Sequence, residues 1–217
     1  FSRSLVTQNV LITDLDGLAR RRGERFDFTA RTSFGYMKDL LTQGPGDQVR
    51  VSYAFAELVD RERGLGARIG RQSRGMAGVP STFDGELGTW QWRPDFGFGL
   101  AAGMPTLSTR EGPDQDRRFI SAGANFANSS RSWDSTAYLL AQEYKGLTDR
   151  RSLGVETRYM APGRTLFAMV DYDLHFADFN SVMLLGTLFT ESRWTLSLDA
   201  SRQRSPQLSL RNAMIGQ

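Results

Sequence analysis

The stretch Arg25-Phe26-Asp27-Phe28-Thr29-Ala30-Arg31-Thr32-Ser33-Phe34-Gly35-Tyr36-Met37 decides the fold. Read with a period of two, Phe26, Phe28, Ala30, Thr32, Phe34 and Tyr36 fall on one side, and Arg25, Asp27, Thr29, Arg31 and Ser33 on the other. At 3.6 residues per turn the aromatic positions would scatter around a helix axis, so the stretch reads as a β-strand with one greasy and one wet face.

Eleven segments share this character. Val49, Val51, Tyr53 and Phe55 oppose Gln48, Arg50 and Ser52; Leu65, Ala67 and Ile69 oppose Gly66, Arg68 and Gly70. Phe96 to Met104 alternates with Gly97, Gly99, Ala101 and Gly103, and Leu153, Val155, Thr157 and Tyr159 alternate with Gly154, Glu156 and Arg158. Leu166 to Tyr172 leaves Asp171 and Asp173 opposite, and Trp194 to Ala200 leaves Thr195, Ser197, Asp199 and Ser201 opposite. Ile120 to Phe126, Ala137 to Tyr144 and Phe179 to Phe189 carry apolar or small residues on both faces.

Alternation does not say which face is outside, because a soluble sandwich buries its apolar face. Length and turn order decide. Strands of soluble proteins run to about 5–6 residues, whereas a strand tilted across a bilayer needs about 9–11, and these segments approach the longer value. Tight connections are read at Asp60 to Arg63, Arg93 to Asp95, Asn128 to Arg131, Ala161 to Gly163 and Glu191 to Ser192. Longer ones at Leu40 to Asp47, Ser73 to Gly85, Pro105 to Asp116, Lys145 to Arg151 and His175 to Asp178 lie between them. Short periplasmic turns alternating with longer outer loops are the pattern of outer-membrane barrels. The fold class expected is therefore all-β: an antiparallel transmembrane β-barrel of meander topology, with at least 12 strands in the full protein.

Composition narrows the functions. The formal charge of +3 rests on 25 arginines against two lysines, Lys38 and Lys145, yet no basic cluster sits on a recognition helix, so nucleic acid is not an expected partner. The basic run Arg20-Arg21-Arg22 reads as a solvated turn before the first clear strand. Cysteine is absent and His175 is the one histidine, which leaves thiolate and histidine metal sites without ligands; no metal or cofactor is expected. No apolar run reaches the ~18–20 residues of a membrane helix, and a barrel hides its membrane signal because half of each strand faces water.

Residues 1–24 are read as a first strand (Ser4 to Thr13) and a periplasmic connection (Asp14 to Glu24), with 25–217 as the barrel. Gln207 to Ile215 is read as the start of another strand after a loop at Arg202 to Pro206. The odd strand count and the missing terminal aromatic lead us to expect a barrel that continues beyond the given ends.

The run Arg68-Ile69-Gly70-Arg71-Gln72 followed by Val79, Phe83, Asp84 and Gly85, together with the strand pattern and turn order, resembles the barrel regions of large proteobacterial outer-membrane proteins, including those that follow a tetratricopeptide scaffold. The closing run Ser205 to Gln217 is similar to segments of the same group. That resemblance implies integral outer-membrane localisation and passage of a hydrophilic solute or a polymer such as an exopolysaccharide, with outer-membrane lipid and envelope proteins as partners.

With the apolar faces toward lipid, Arg31, Arg50, Arg68, Glu156, Arg158, Asp171 and Asp173 point into the lumen, either lining a pore or pairing to knit the interior. Trp90 and Trp92 share a face beside Arg93-Pro94-Asp95 and read as an aromatic girdle; a platform for sugar rings is the competing reading. Asp171, Asp173 and His175 stand two apart at a strand end, but no activated serine or second acid pair accompanies them. Asp173 with His175 then reads as a loop-ordering pair, and the chain is not read as an enzyme. Two alternatives stay open beside the channel: a membrane anchor within a larger assembly, and a hydrolase at the outer rim.

Overall fold

In a computed structural model, which describes residues 9–41, 46–73, 77–190 and 192–204, the chain is all-β. Twelve strands form one antiparallel meander in which every strand pairs with its neighbours in sequence: β1 (Val10–Arg22), β2 (Phe26–Asp39), β3 (Gln48–Asp60), β4 (Leu65–Ser73), β5 (Thr82–Arg93), β6 (Phe96–Pro105), β7 (Arg117–Ala127), β8 (Trp133–Tyr144), β9 (Leu147–Ala161), β10 (Arg164–Asp173), β11 (Asp178–Phe189) and β12 (Thr195–Gln203). Among the described residues no pairing joins β12 to β1, so the sheet has two free edges.

The two faces differ sharply. Phe28, Phe34, Leu58, Ile69, Trp90, Leu100, Ile120, Leu139, Val155 and Leu198 are exposed large hydrophobics on one face, while Ser121, Ser152, Asp171 and Asp173 are buried on the other. A single sheet buries one face with no second layer only by curving, and bonds between strands two apart show that curvature. Arg50 Nη2 of β3 donates to Asp14 Oδ1 of β1 at 2.7 Å, and Tyr138 of β8 donates its hydroxyl to Asp171 of β10, although such strands lie about 9.6 Å apart in a flat sheet.

Both bridges pass over a glycine. Gly35 pairs with Asp14 and with Arg50, and a Cβ there would stand 2.2 Å from Arg50 Nε. Gly154 pairs with Tyr138 and Asp171, and a Cβ there would stand 2.2 Å from Tyr138 Cζ. The missing side chains are what let the flanking residues close over the concave face.

Four readings of the sequence need correction. Asp14 to Glu24 is not a connection: β1 runs to Arg22, with Arg20 opposite Thr29 and Arg22 opposite Asp27, so the arginine run lies in a strand rather than a turn. Backbone pairing with β2 holds it there, and the long side chains reach solvent. Tyr53 and Phe55 do not share a face with Val49 and Val51, because Ser52 is an extra residue between Tyr53, opposite Ser33, and Val51, opposite Phe34. One inserted residue reverses the phase of a strand, so Ala54, Ala56 and Leu58 take the exposed face instead.

The connection Lys145 to Arg151 is a two-residue hairpin, Lys145-Gly146, with both residues at positive φ (50° and 78°), the geometry that matches strand twist. Alternation of short and long connections therefore fails between β8 and β9, and again between β10 and β11, where residues 174–177 make a connection no longer than the β3–β4 turn at 61–64. Ser73 to Gly85 is shorter than read, since β5 begins at Thr82. The readings at Ser4 to Gln8, Ser205 to Pro206 and Gln207 to Ile215 lie outside the described residues.

Gly154→Val should destabilise the protein by about 1–3 kcal/mol through overpacking against Tyr138. Gly112→Val, at a position with open space around it, should cost almost nothing. Urea unfolding of the folded protein checks the pair, and equal midpoints would refute the bridge-over-glycine account.

Candidate functional site

The concave face carries the polar chemistry. In β1–β4, Arg50 pairs with Asp14 at 2.7 Å and Arg68 with Glu57 at 2.6 Å. Arg31 lies over the Tyr53 ring at 4.3 Å and Arg68 over Phe55 at 4.7 Å, which explains what the phase reversal of β3 provides: two aromatic rests for arginines. The Tyr53 hydroxyl reaches Asp16 at 3.3 Å.

A second polar group belongs to β8–β10. Asp171 accepts from Tyr138 and from Arg150 Nη2 at 2.6 Å; Arg158 pairs with Asp134 at 3.2 Å; Glu156 stands opposite Thr136 and Met169. Asp173 accepts from the backbone N–H of His175 at 2.8 Å and of Phe176 at 3.2 Å, which orders the β10–β11 loop. His175 meanwhile packs on Phe176. All seven charged residues singled out in the sequence thus share the concave face, but in two separate groups. Their partners Asp14, Glu57, Asp134, Tyr138 and Arg150 were missed, because pairing follows strand register and no local motif marks it.

Between the two groups an apolar patch fills part of the concave face. Phe83, Leu87, Ala101, Phe119 and Leu140 form a buried cluster, with Phe83 and Phe119 edge to face at 5.1 Å. Val79, from the β4–β5 connection, is buried in the same cluster. Gly78, at φ 75°, lies so close to Tyr138 that a Cβ would stand 2.1 Å from the ring. Residues 77–79 of the β4–β5 connection therefore lie over the concave face, and burial of Val79 contributes roughly 1.5–3 kcal/mol to holding them there.

The run that carried the resemblance builds this feature. Consecutive residues pin the β4–β5 hairpin on both faces. Gln72 and Phe83, opposite each other, are fully buried on the concave side, where Gln72 Nε2 donates to the Gly85 carbonyl at 3.0 Å. Arg71 and Asp84, also opposite each other, form a two-pronged ion pair at 2.8 and 2.7 Å on the other side. The β6–β7 connection covers that pair: Arg71 donates to the Glu111 carbonyl at 2.8 Å, Thr106 donates to Asp84 at 3.2 Å, and Val51 N–H bonds the Thr109 carbonyl at 2.7 Å.

Trp90 and Trp92 are exposed on the apolar face, Trp90 stacked on Phe98 at 5.9 Å and Trp92 edge-on to Phe96 at 6.2 Å. Trp133 and Trp194 also stand beside short connections, so all four tryptophans gather at one rim. Among the described residues no group of His, Cys, Asp and Glu is arranged to hold a metal ion. No helix is long and apolar enough to cross a membrane, which says nothing of a β-barrel.

No protein-family model matches this sequence, and comparison with curated proteins finds no match.

Asp84→Ala leaves the buried Arg71 guanidinium without its carboxylate and should destabilise the protein by about 3–5 kcal/mol. The double variant Arg71→Met/Asp84→Leu should recover much of that loss. Urea midpoints for the two variants decide it; a mild single variant would mean the pair does not anchor the hairpin.

Proposed function

We propose that the chain forms the wall of a β-barrel in a bacterial outer membrane, serving as a channel or exporter for hydrophilic solutes or a polymer such as an exopolysaccharide. One observation carries the reading: large apolar side chains stand uncovered along the outer face, while the enclosed face holds charged and hydroxyl side chains on either side of an apolar patch. On β2 the exposed apolar residues run from Phe26 to Tyr36, about 33 Å along the strand at ~3.3 Å per residue and about 25 Å at a tilt near 40°, the height of a barrel's apolar band. Four tryptophans at one rim serve as an interfacial girdle. Paired arginines and carboxylates on the concave face line a polar interior, where they set the local field for any permeant.

The second reading is a barrel that anchors an assembly without conducting. The apolar filling over β5–β8 favours it, because Val79 and Phe83 occupy space that an open pore would leave to water.

Two experiments separate the outcomes. In liposomes Phe28→Asp should abolish folding or insertion, whereas Thr29→Asp, one residue along on the concave face, should insert normally; equal tolerance would reject the membrane reading. Planar-bilayer recordings should then show discrete conductance steps for the wild type, and a correctly inserted but silent protein would support the anchor.

A further inference from the structure

Resting on the channel reading, we infer that the segment Ala77–Ser81 is a releasable closure seated on the concave face, and that its displacement controls passage through the barrel. Three observations converge on it. Ala77 and Val79 are buried although they belong to a connection between strands, where side chains are ordinarily exposed. Val79 belongs to one buried cluster with wall residues from four consecutive strands, Phe83 and Leu87 of β5, Ala101 of β6, Phe119 of β7 and Leu140 of β8, so the seat spans the width between the two charged groups. Gly78 fits flat against Tyr138, and that same tyrosine reaches over Gly154 to Asp171, which Arg150 also holds. The closure thus touches the β8–β10 charged group through a single ring.

The seat is shallow in energetic terms. Burial of Ala77, apolar packing of Val79 and the close approach of Gly78 to the Tyr138 ring hold the segment, while the hairpin ends below it are fixed by Gln72, Phe83 and the Arg71–Asp84 pair. Removing the segment from its seat leaves the strand pairing of β4 with β5 intact, so release does not require the wall to unfold.

The chain contains no cysteine, which makes paired substitutions unambiguous. In the double variant Gly78→Cys/Tyr138→Cys the two Cβ positions are close enough for a disulfide once the ring is gone. Oxidised, this protein should show the low conductance of the seated state in planar bilayers; reduced with dithiothreitol, it should conduct several-fold more. Gly78→Val, which drives a methyl into the Tyr138 ring, should also raise conductance several-fold. As a readout independent of current, Val79→Cys should react with a water-soluble maleimide at least tenfold faster when combined with Gly78→Val. Insertion into liposomes is checked for each variant by flotation. If the wild type conducts and neither the redox state nor Gly78→Val changes its steps or the labelling rate, this inference fails while the channel reading stands. If every inserted variant is silent, both fail together.

Discussion

An exposed apolar face with no layer over it is the constraint on which the rest of this structure depends. In the twelve-stranded meander β2 to β11 are each paired on both sides, but the sheet cannot leave Phe28, Trp90, Leu100, Leu139 and Leu198 in water at once without a large hydrophobic cost. On the proposed membrane reading hydrocarbon removes that cost, and the enclosed face is then free to hold Ser121, Ser152, Asp171 and Asp173 beside Leu87 and Leu140. The polar residues are enclosed because the sheet curves around them, and each then needs a partner.

Glycine is the second element. Arg50 meets Asp14 over Gly35, and Tyr138 meets Asp171 over Gly154, so the ion pairs and hydrogen bonds of the concave face tie strands that are not neighbours. Such ties resist flattening of the sheet. The same device at Gly78 lets a connecting segment lie on Tyr138, which joins the wall, the charged group of β8–β10 and the apolar filling of β5–β8 into one packed unit.

Much of this was legible in the sequence, for a simple reason: period-two alternation is a local property, and β2, β4, β6, β10 and β9 from Arg150 onward keep it without interruption, the bulge of β9 falling at Asp149. The charged residues Arg31, Arg50, Arg68, Glu156, Arg158, Asp171 and Asp173 could be placed on one face by the same rule. What was not legible depends on pairing. Ser52 carries no mark of a bulge, yet it turns Tyr53 and Phe55 toward the arginines. Lys145-Gly146 turns in two residues because Lys145 adopts a positive φ that its side chain does not advertise. The Arg68 to Gln72 and Val79 to Gly85 run was recognisable only as a resemblance; its meaning, a hairpin clamped by Arg71–Asp84 on one face and Gln72–Gly85 on the other, appears once β4 and β5 are in register.

The most direct test of the central claim is nitroxide scanning of β3 in liposomes, with single cysteines at each position from Val49 to Leu58 and relaxation by oxygen compared with relaxation by a water-soluble nickel chelate. The account predicts lipid-facing labels at Val49 and Val51, a break at Ser52, and lipid-facing labels again at Ala54, Ala56 and Leu58, with Tyr53, Phe55 and Glu57 shielded from lipid. Labels at Val49, Ala54 and Leu58 that collide with the nickel chelate as freely as those at Arg50 and Glu57 would contradict it.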